Sequence, residues 1–433
     1  MSQRMRELTV ESAHQRFGAE LRHWRLLRGL SQTGLGKATH DSGALIGRIE
    51  KAERRPSLKF ARRMDTALDT SGALERLWYQ IPNSTGRTRP APPPALTDTW
   101  AGLPVTELLT EWLLDSPSPH TAASGPRRIG RIDIEVMWAM CATMTTADHH
   151  LGGGYARDTL IAFLEHTVVP ALHGTYTHAI ASDLYTVAAR LTDLAAFMSF
   201  DTARHDTAQT HFRTALRLAK TARNPALGAH ILSDMAMQAH HTRQPADAVA
   251  LAEAATATAR HTGSAATKAR SHALLARAHA LSGDTGAAAR ALHTAERHLD
   301  HVGDLDEEPV WIQFFTTEQL AAETMYTAAD SGATGLVHAH APQVLAASNG
   351  MERRYVLAAA TLASSYLTGP THTDVEQACA VLDTALPAVG AVISSRGINA
   401  INTVRRHLTR FSGVAAVADL EQRYNATLAD STQ

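Results

Sequence analysis

Apolar residues recur at three- and four-residue spacing along most of the chain, while runs rich in Val, Ile and Tyr that would mark strands are scarce. Near the N-terminus, Phe17, Leu21, Trp24 and Leu26 or Leu27 fall on one side of the segment Phe17–Gly29. LSQTGLGKAT follows, and then a short run opens on Ser42 as N-cap with Leu45, Ile46 and Ile49 facing inward. Leu58–Asp69 and Ala73–Gln80 continue the pattern, which predicts five short helices in a small bundle. Residues 82–104 carry a proline cluster that neither continues a helix nor joins a central strand, the pattern of an extended linker. Beyond it the spacing predicts helix after helix, broken at turns such as Arg243-Gln244-Pro245 and Ser282-Gly283-Asp284. The expected fold is all-α: a head at 1–81, the linker at 82–104 and a helical body at 105–433.

The body repeats itself at a shift of 40 residues. Ala196, Ala236 and Ala276 align, as do Ala208, Ala248 and Ala288, and Ala215, Ala255 and Ala295; four residues after the second alanine stands Phe212, Ala252 or Leu292. Such spacing describes two antiparallel helices that touch through alanines and wedge a larger residue between them. It resembles the tetratricopeptide repeat at its defining small and large positions, although that repeat is 34 residues long. The likeness implies a superhelix of stacked hairpins. Ala378, Leu382 and Ala385 recover the second-helix spacing later on, but Tyr366 stands where a small residue belongs, and Gly332 and Gly335 interrupt the helix expected one step earlier. Those stretches read as degenerate repeats.

Composition sharpens the division. The 433 residues carry a net charge of -1, yet residues 1–90 sum to +8 and the remainder to -9. A basic head on an acidic body means that the head is the part to meet a polyanion. With only Cys141 and Cys379 there is neither a disulfide framework nor a CxxC knuckle, which fits a reducing cytoplasm. No run reaches 18 apolar residues and the N-terminus has no apolar signal core, so neither a membrane span nor secretion is expected.

The head resembles the helix-turn-helix domain of the Cro/repressor-like (XRE-family) regulators. The matching residues are Gln32 opening the second helix, Ser42 opening the third, Ile46 and Ile49 as its buried positions, Glu50 closing it, and Arg55-Pro56-Ser57 leading into the fourth. The resemblance implies a five-helix, lambda-repressor-like fold whose third helix lies in the major groove of double-stranded DNA. Gly43, Ala44 and Arg48 would then reach base edges, with Arg48 the one strong guanine reader. Gln32, Ser42, Lys51, Arg54 and Arg55 would hold phosphates. Because Gly43 and Ala44 have little reach, readout is expected to be narrow or to depend on DNA shape and a second half-site. Gly34 and Gly36 each cost the second helix about 1 kcal/mol, although Gly36 also allows a close helix crossing. The competing reading is a solvated basic helix with no DNA partner.

The other chemical patterns fall short. Gly34-Leu35-Gly36-Lys37-Ala38 lacks the first glycine and the hydroxyl of a phosphate loop. The pairs His149-His150, His240-His241 and His338/His340 lack a third ligand at metal spacing. No nucleophile elbow, HExxH pair or dinucleotide fingerprint is present, so no enzyme activity, metal or cofactor is expected.

Residues 125–174 resemble the segment joining head to repeats in a group of actinobacterial regulators, through Arg128-Ile129-Gly130, the Gly152-Gly153-Gly154 turn and a helix exit at Val169-Pro170. The resemblance implies a transcription regulator with a helical sensing or scaffold domain, as in the quorum-peptide receptor regulators of Gram-positive bacteria. Stacked hairpins curve, with the first helix of each pair on the concave side. That side would present Arg190, Asp193 and Phe197, then His230, Ser233 and Met237, then Arg270 and Arg277. The mixture fits a groove for a peptide or an amphipathic small molecule; the alternative is a solvated face used only for dimerisation. The resulting expectation is a homodimeric regulator that senses a ligand and sets the spacing of two heads. The alternative is a protein-interaction scaffold with a nonspecific DNA tether.

Overall fold

The computed structural model describes residues 13–68, 104–114, 125–368 and 373–430, together with Thr70, Leu74, Leu77 and Trp78. Among the described residues there is no strand beyond one isolated bridge, Arg128 to Thr175, and the chain is all-α. It divides into two compact units, residues 1–96 and 97–433. The linker expected at 82–104 lies, apart from Pro104, outside the described residues.

In the first unit, α1 (Ala13–Leu27), α2 (Gln32–Thr39), α3 (Gly43–Glu50) and α4 (Leu58–Leu68) pack around Phe17, Leu21, Leu35, Ile46, Ile49 and Phe60. Leu74 is buried in the same core, with Leu77 and Trp78 against it, while most of the fifth segment is outside the described residues. Leu26 is 55% exposed, and the buried position beside it belongs instead to Arg25. Arg25 is held there by Glu50, through Nε at 2.6 Å and a terminal nitrogen at 3.0 Å, and it also donates to the Leu30 carbonyl. A buried guanidinium is tolerable because its charge and its hydrogen bonds are met together.

The second unit begins with α5 (Val105–Leu114), whose Trp112 donates to Thr258 at 3.0 Å and whose Glu111 pairs with Arg217. Then come α6 (Arg131–Leu151) and α7 (Gly153–Phe163), which runs through a π-helical turn, Leu164–Val168, into α8 (Val169–Leu172). The exit expected at Val169-Pro170 is therefore displaced: the chain passes Pro170 in helical form and leaves after Leu172. A proline has no N–H for the preceding turn, and the wider π turn just before it accommodates that loss.

Five hairpins follow: α9 (His178–Asp201) with α10 (His205–Thr221), α11 (Pro225–His241) with α12 (Pro245–Ala259), α13 (Ala265–Leu281) with α14 (Thr285–Leu299), α15 (Thr317–Asp330) with α16 (Thr334–Ala346), and α17 (Glu352–Thr368) with α18 (Val375–Ala391); two last helices, α19 (Ser395–Leu408) and α20 (Ala415–Asp430), pack on the fifth, α19 against α17 and α20 against α18. All nine aligned alanines are buried, at 2% exposure or less, because only a methyl side chain lets the backbones of paired helices approach closely. The turns repeat as well: Ala203, Arg243 and Gly283 occupy the same place and share a positive φ of 61°, 59° and 86°.

The irregular stretches have local causes. Residues 302–316 insert between α14 and α15 and delay the next hairpin, so Gly332 falls in a turn, with φ of 71°, and Gly335 in the first turn of α16. Neither breaks a helix; Val337, Ala341 and Val344 then restore the buried spacing. Six residues, where three separate α9 from α10, lie between α17 and α18, and this moves the register again. Ala363, fully buried, takes the small position, and Tyr366 stacks instead on His338 with ring centroids 4.5 Å apart.

The stack also closes on itself. Arg353 of α17 forms a two-pronged pair with Asp148 of α6, at 2.9 and 2.7 Å, and reaches Asp201 at the end of α9 at 3.2 Å. Asp201 in turn accepts from Ser394 at 2.8 Å and from the Gly153 amide at 2.9 Å. Burial works against the Arg353 charge, but Asp148 and then Asp201 outweigh it and raise its pKa. The Gly152-Gly153-Gly154 turn is what lets the two ends meet. Gly154 donates to the Ile393 carbonyl at 3.0 Å, and a Cβ on Gly154 would stand 2.3 Å from the Ile393 side chain.

Replacing Arg353 by Met should leave two buried carboxylates without their cation and lower unfolding stability by about 3–5 kcal/mol. Chemical denaturation of the full chain measures this, and an unchanged midpoint would remove the closure from the list of stabilising contacts.

Candidate nucleic-acid interface and ligand cavity

In the first unit α2 and α3 form two short helices joined by a tight turn. Ser31 caps α2 by accepting from the Gly34 amide, and Ser42 caps α3 by accepting from the Leu45 amide at 3.1 Å. His40 makes the turn in the left-handed region, with φ of 56°. The crossing is close at Gly36, where a Cβ would lie 2.6 Å from the Asp41 carbonyl oxygen, and at Gly43, where it would lie 3.0 Å from the Thr33 backbone. Gly43 therefore faces α2 and has only backbone to offer DNA.

The opposite face of α3 is free. Ala44, Arg48 and Lys51 are exposed at helical spacing, Arg54 is exposed just beyond, and Arg55 is half-buried. Among the described residues the Arg48 side chain makes no hydrogen bond or ion pair. Gln32 is turned inward, donating from Nε2 to Glu50 at 2.8 Å, so it joins the Arg25–Glu50 pair in tying α1, α2 and α3 together. The role of Arg25 was not read from the sequence. An arginine on the apolar face of α1, together with the glutamate that closes α3, is the available signal.

A family model described as a helix-turn-helix domain matches residues 16–78. The first unit is thus a helix-turn-helix domain, and the chain is a DNA-binding regulator. No curated protein matches the chain.

In the second unit the first helices of the hairpins surround a cavity of about 970 Å³. Arg190, Phe197, His230, Met237, Arg270 and Arg277 line it, whereas Asp193 and Ser233 lie fully buried behind that wall. The sequence missed the rest of the lining. Trp138 comes from α6, Trp311 and Phe314 from the inserted 302–316 segment, and Arg353 and Arg396 from the far end of the stack. Trp138 and Trp311 stack with centroids 6.3 Å apart and planes at 14°.

One wall holds a dense polar cluster. Arg190 donates to Asp193 at 2.7 Å, and Arg270 donates to Asp234 and, at 3.2 Å, to Nδ1 of His230. A guanidinium has only hydrogens to give, so Nδ1 is the acceptor and Nε2–H faces Asp193 and Asp234, at 3.5 and 3.4 Å. Burial, with Arg270 and Arg190 beside it, pushes His230 well below its usual range. Burial and the Asp234 charge push Asp193 up to about 7. Asp193, His230 and Asp234 are close enough to hold a metal ion, their ligand atoms lying within 4.8 Å of one another. Arg190 and Arg270 already supply positive charge there and take one oxygen of each carboxylate and Nδ1 of His230, while Oδ1 of Asp193 has no hydrogen-bond partner among the described residues.

Replacing Gly36 by Ala should force the α2–α3 turn apart and destabilise the head by about 1–3 kcal/mol, read as lost helicity and lost DNA binding together. A second expectation concerns acid. His230 and His240 are held below their ordinary values by burial, and His211 is pushed down to about 4 by burial and by Arg157. The unfolded chain then takes up protons below about pH 6.5 that the folded chain refuses, so stability falls from there toward about pH 4. Asp193 acts in the opposite sense between about pH 4 and 7, and the histidines outnumber it. The melting temperature should drop by several degrees between pH 7.5 and pH 5, and less so in His211→Asn. A flat pH profile would contradict the burial of these rings.

Proposed function

We propose that the chain is a sequence-specific transcription regulator that binds DNA as a homodimer and whose helical-hairpin unit takes a small-molecule signal in its central cavity. Its role is regulatory rather than catalytic. The single observation that carries the DNA-reading part is Arg48, exposed and unpartnered among the described residues on the outer face of a capped α3. Ala44 offers a methyl to the groove, Gly43 only backbone, and Lys51 and Arg54 stand where phosphates pass; Ser42 and Gln32 are engaged in holding the motif itself together. A reader with one long side chain per head distinguishes few base pairs, so two heads on two half-sites about one helical turn apart are needed for useful specificity.

The ligand part is supported by the size and make-up of the cavity. Its volume lies within the range of sites for drug-sized molecules, and aromatic and arginine side chains alternate along its wall. Because the cavity is bounded by both ends of the hairpin stack, an occupant touches helices distant in sequence. It would act by favouring one of two dimer arrangements by a few kcal/mol.

The test is binding to an operator selected from random DNA, followed by anisotropy at two salt concentrations with and without Arg48→Ala. The expected loss is about tenfold to a hundredfold on the operator, with binding to unrelated DNA nearly unchanged. Sequence-blind binding that Arg48→Ala leaves intact would instead favour a scaffold with a nonspecific tether.

A further inference from the structure

Each arginine of the cavity can be asked which acceptor already holds it. Arg190 is matched by Asp193, Arg270 by Asp234 and the His230 carbonyl, Arg353 by Asp148 and Asp201, and Arg354 by the Glu318 carbonyl at 3.0 Å. Arg277 is held more loosely, by Glu323 at 3.3 Å and His240 at 3.5 Å. Arg396 differs from all of these. It is only 9% exposed, yet among the described residues no oxygen lies within hydrogen-bond distance of its guanidinium. Its contacts are the Met237 sulfur at 3.9 Å, the Phe200 ring at 4.4 Å, the Phe197 ring at 5.6 Å, and one oxygen of Asp201 at 3.9 Å. That carboxylate already serves Arg353, Ser394 and the Gly153 amide.

A buried cation without an acceptor is a costly arrangement unless something brings one. Burial pulls the Arg396 pKa down to about 10, and the neighbouring Arg353 and Arg277 charges add to the effect of burial. Around this cation the wall is apolar: Met237 and Phe197 adjoin it, and Trp138, Trp311 and Phe314 line the same cavity. Resting on the reading of the cavity as a ligand site, we propose that its ligand is a small amphipathic organic anion, with a carboxylate or sulfonate head bound by Arg396 and a flat apolar body against the aromatic wall. A guanidinium offers parallel N–H groups that match such a head in two-pronged fashion, which an uncharged polar group cannot reproduce. Arg277, with its weak partners, is the second donor within reach of the same head.

The probes are 8-anilinonaphthalene-1-sulfonate, an aromatic anion, and N-phenyl-1-naphthylamine, the same ring system without the sulfonate, titrated into the full chain by fluorescence. The anion should bind saturably at one per chain. Arg396→Gln should weaken it about tenfold or more while changing the neutral probe little, and Arg396→Lys should recover part of the loss. On the unaltered chain, 2-naphthoate should displace the anionic probe and its methyl ester should not, a comparison that holds even where Arg396→Gln does not fold. If the two probes bind alike and naphthoate and its ester compete equally, the cavity is a ligand site with no anion preference and the proposal falls. Should neither probe bind at one per chain, the cavity reading itself falls with it.

Discussion

The second unit depends on one buried ion pair and its neighbour. A stack of helical hairpins in which each touches only the next is an open structure, free to end in solvent. Here Arg353, from the fifth hairpin, is taken up by Asp148 of α6 and Asp201 of α9, so the stack returns to its own beginning. Charges this deeply buried cost least when their lone pairs and hydrogens are answered, and Ser394 and the Gly153 amide add to Arg353 on Asp201. What would have been a plain concave face becomes a cavity walled by both ends of the stack, and polar and aromatic side chains from helices distant in sequence are directed at one shared space.

The first unit solves a smaller version of the same problem. Three short helices of 15, 8 and 8 residues cannot bury much apolar surface. Arg25, Glu50 and Gln32 lock them from inside, and Gly36 and Gly43 let α2 and α3 cross without side chains between them. Because those residues look inward, the outer face of α3 carries little besides Ala44, Arg48 and Lys51. Stability and recognition are thus assigned to opposite faces of one eight-residue helix.

Much of this is legible in the chain. Spacing marked the capped third helix and its buried Ile46 and Ile49, and the alanine register found three hairpins because methyl-sized contacts repeat when backbones must touch. It lost the later hairpins for a physical reason: residues 302–316 and the greater number of residues between α17 and α18 shift the count without altering the packing rule, so Ala363 rather than residue 366 holds the small site. Six of the eight residues read as facing the groove do line the cavity, since helical periodicity determines which side of α9, α11 and α13 looks inward.

Sequence alone, then, determined the local things: which segments are helical, where they are capped, where the basic charge lies and which stripe of each helix packs. These follow from interactions between residues a few positions apart. Only the tertiary structure decided that Asp148 meets Arg353, that Trp138 meets Trp311, and that Arg396 is buried without an oxygen acceptor among the described residues. The members of each pair are separated by more than a hundred residues, and no periodicity relates them, because their meeting depends on the small rotation between successive hairpins summed around the whole stack.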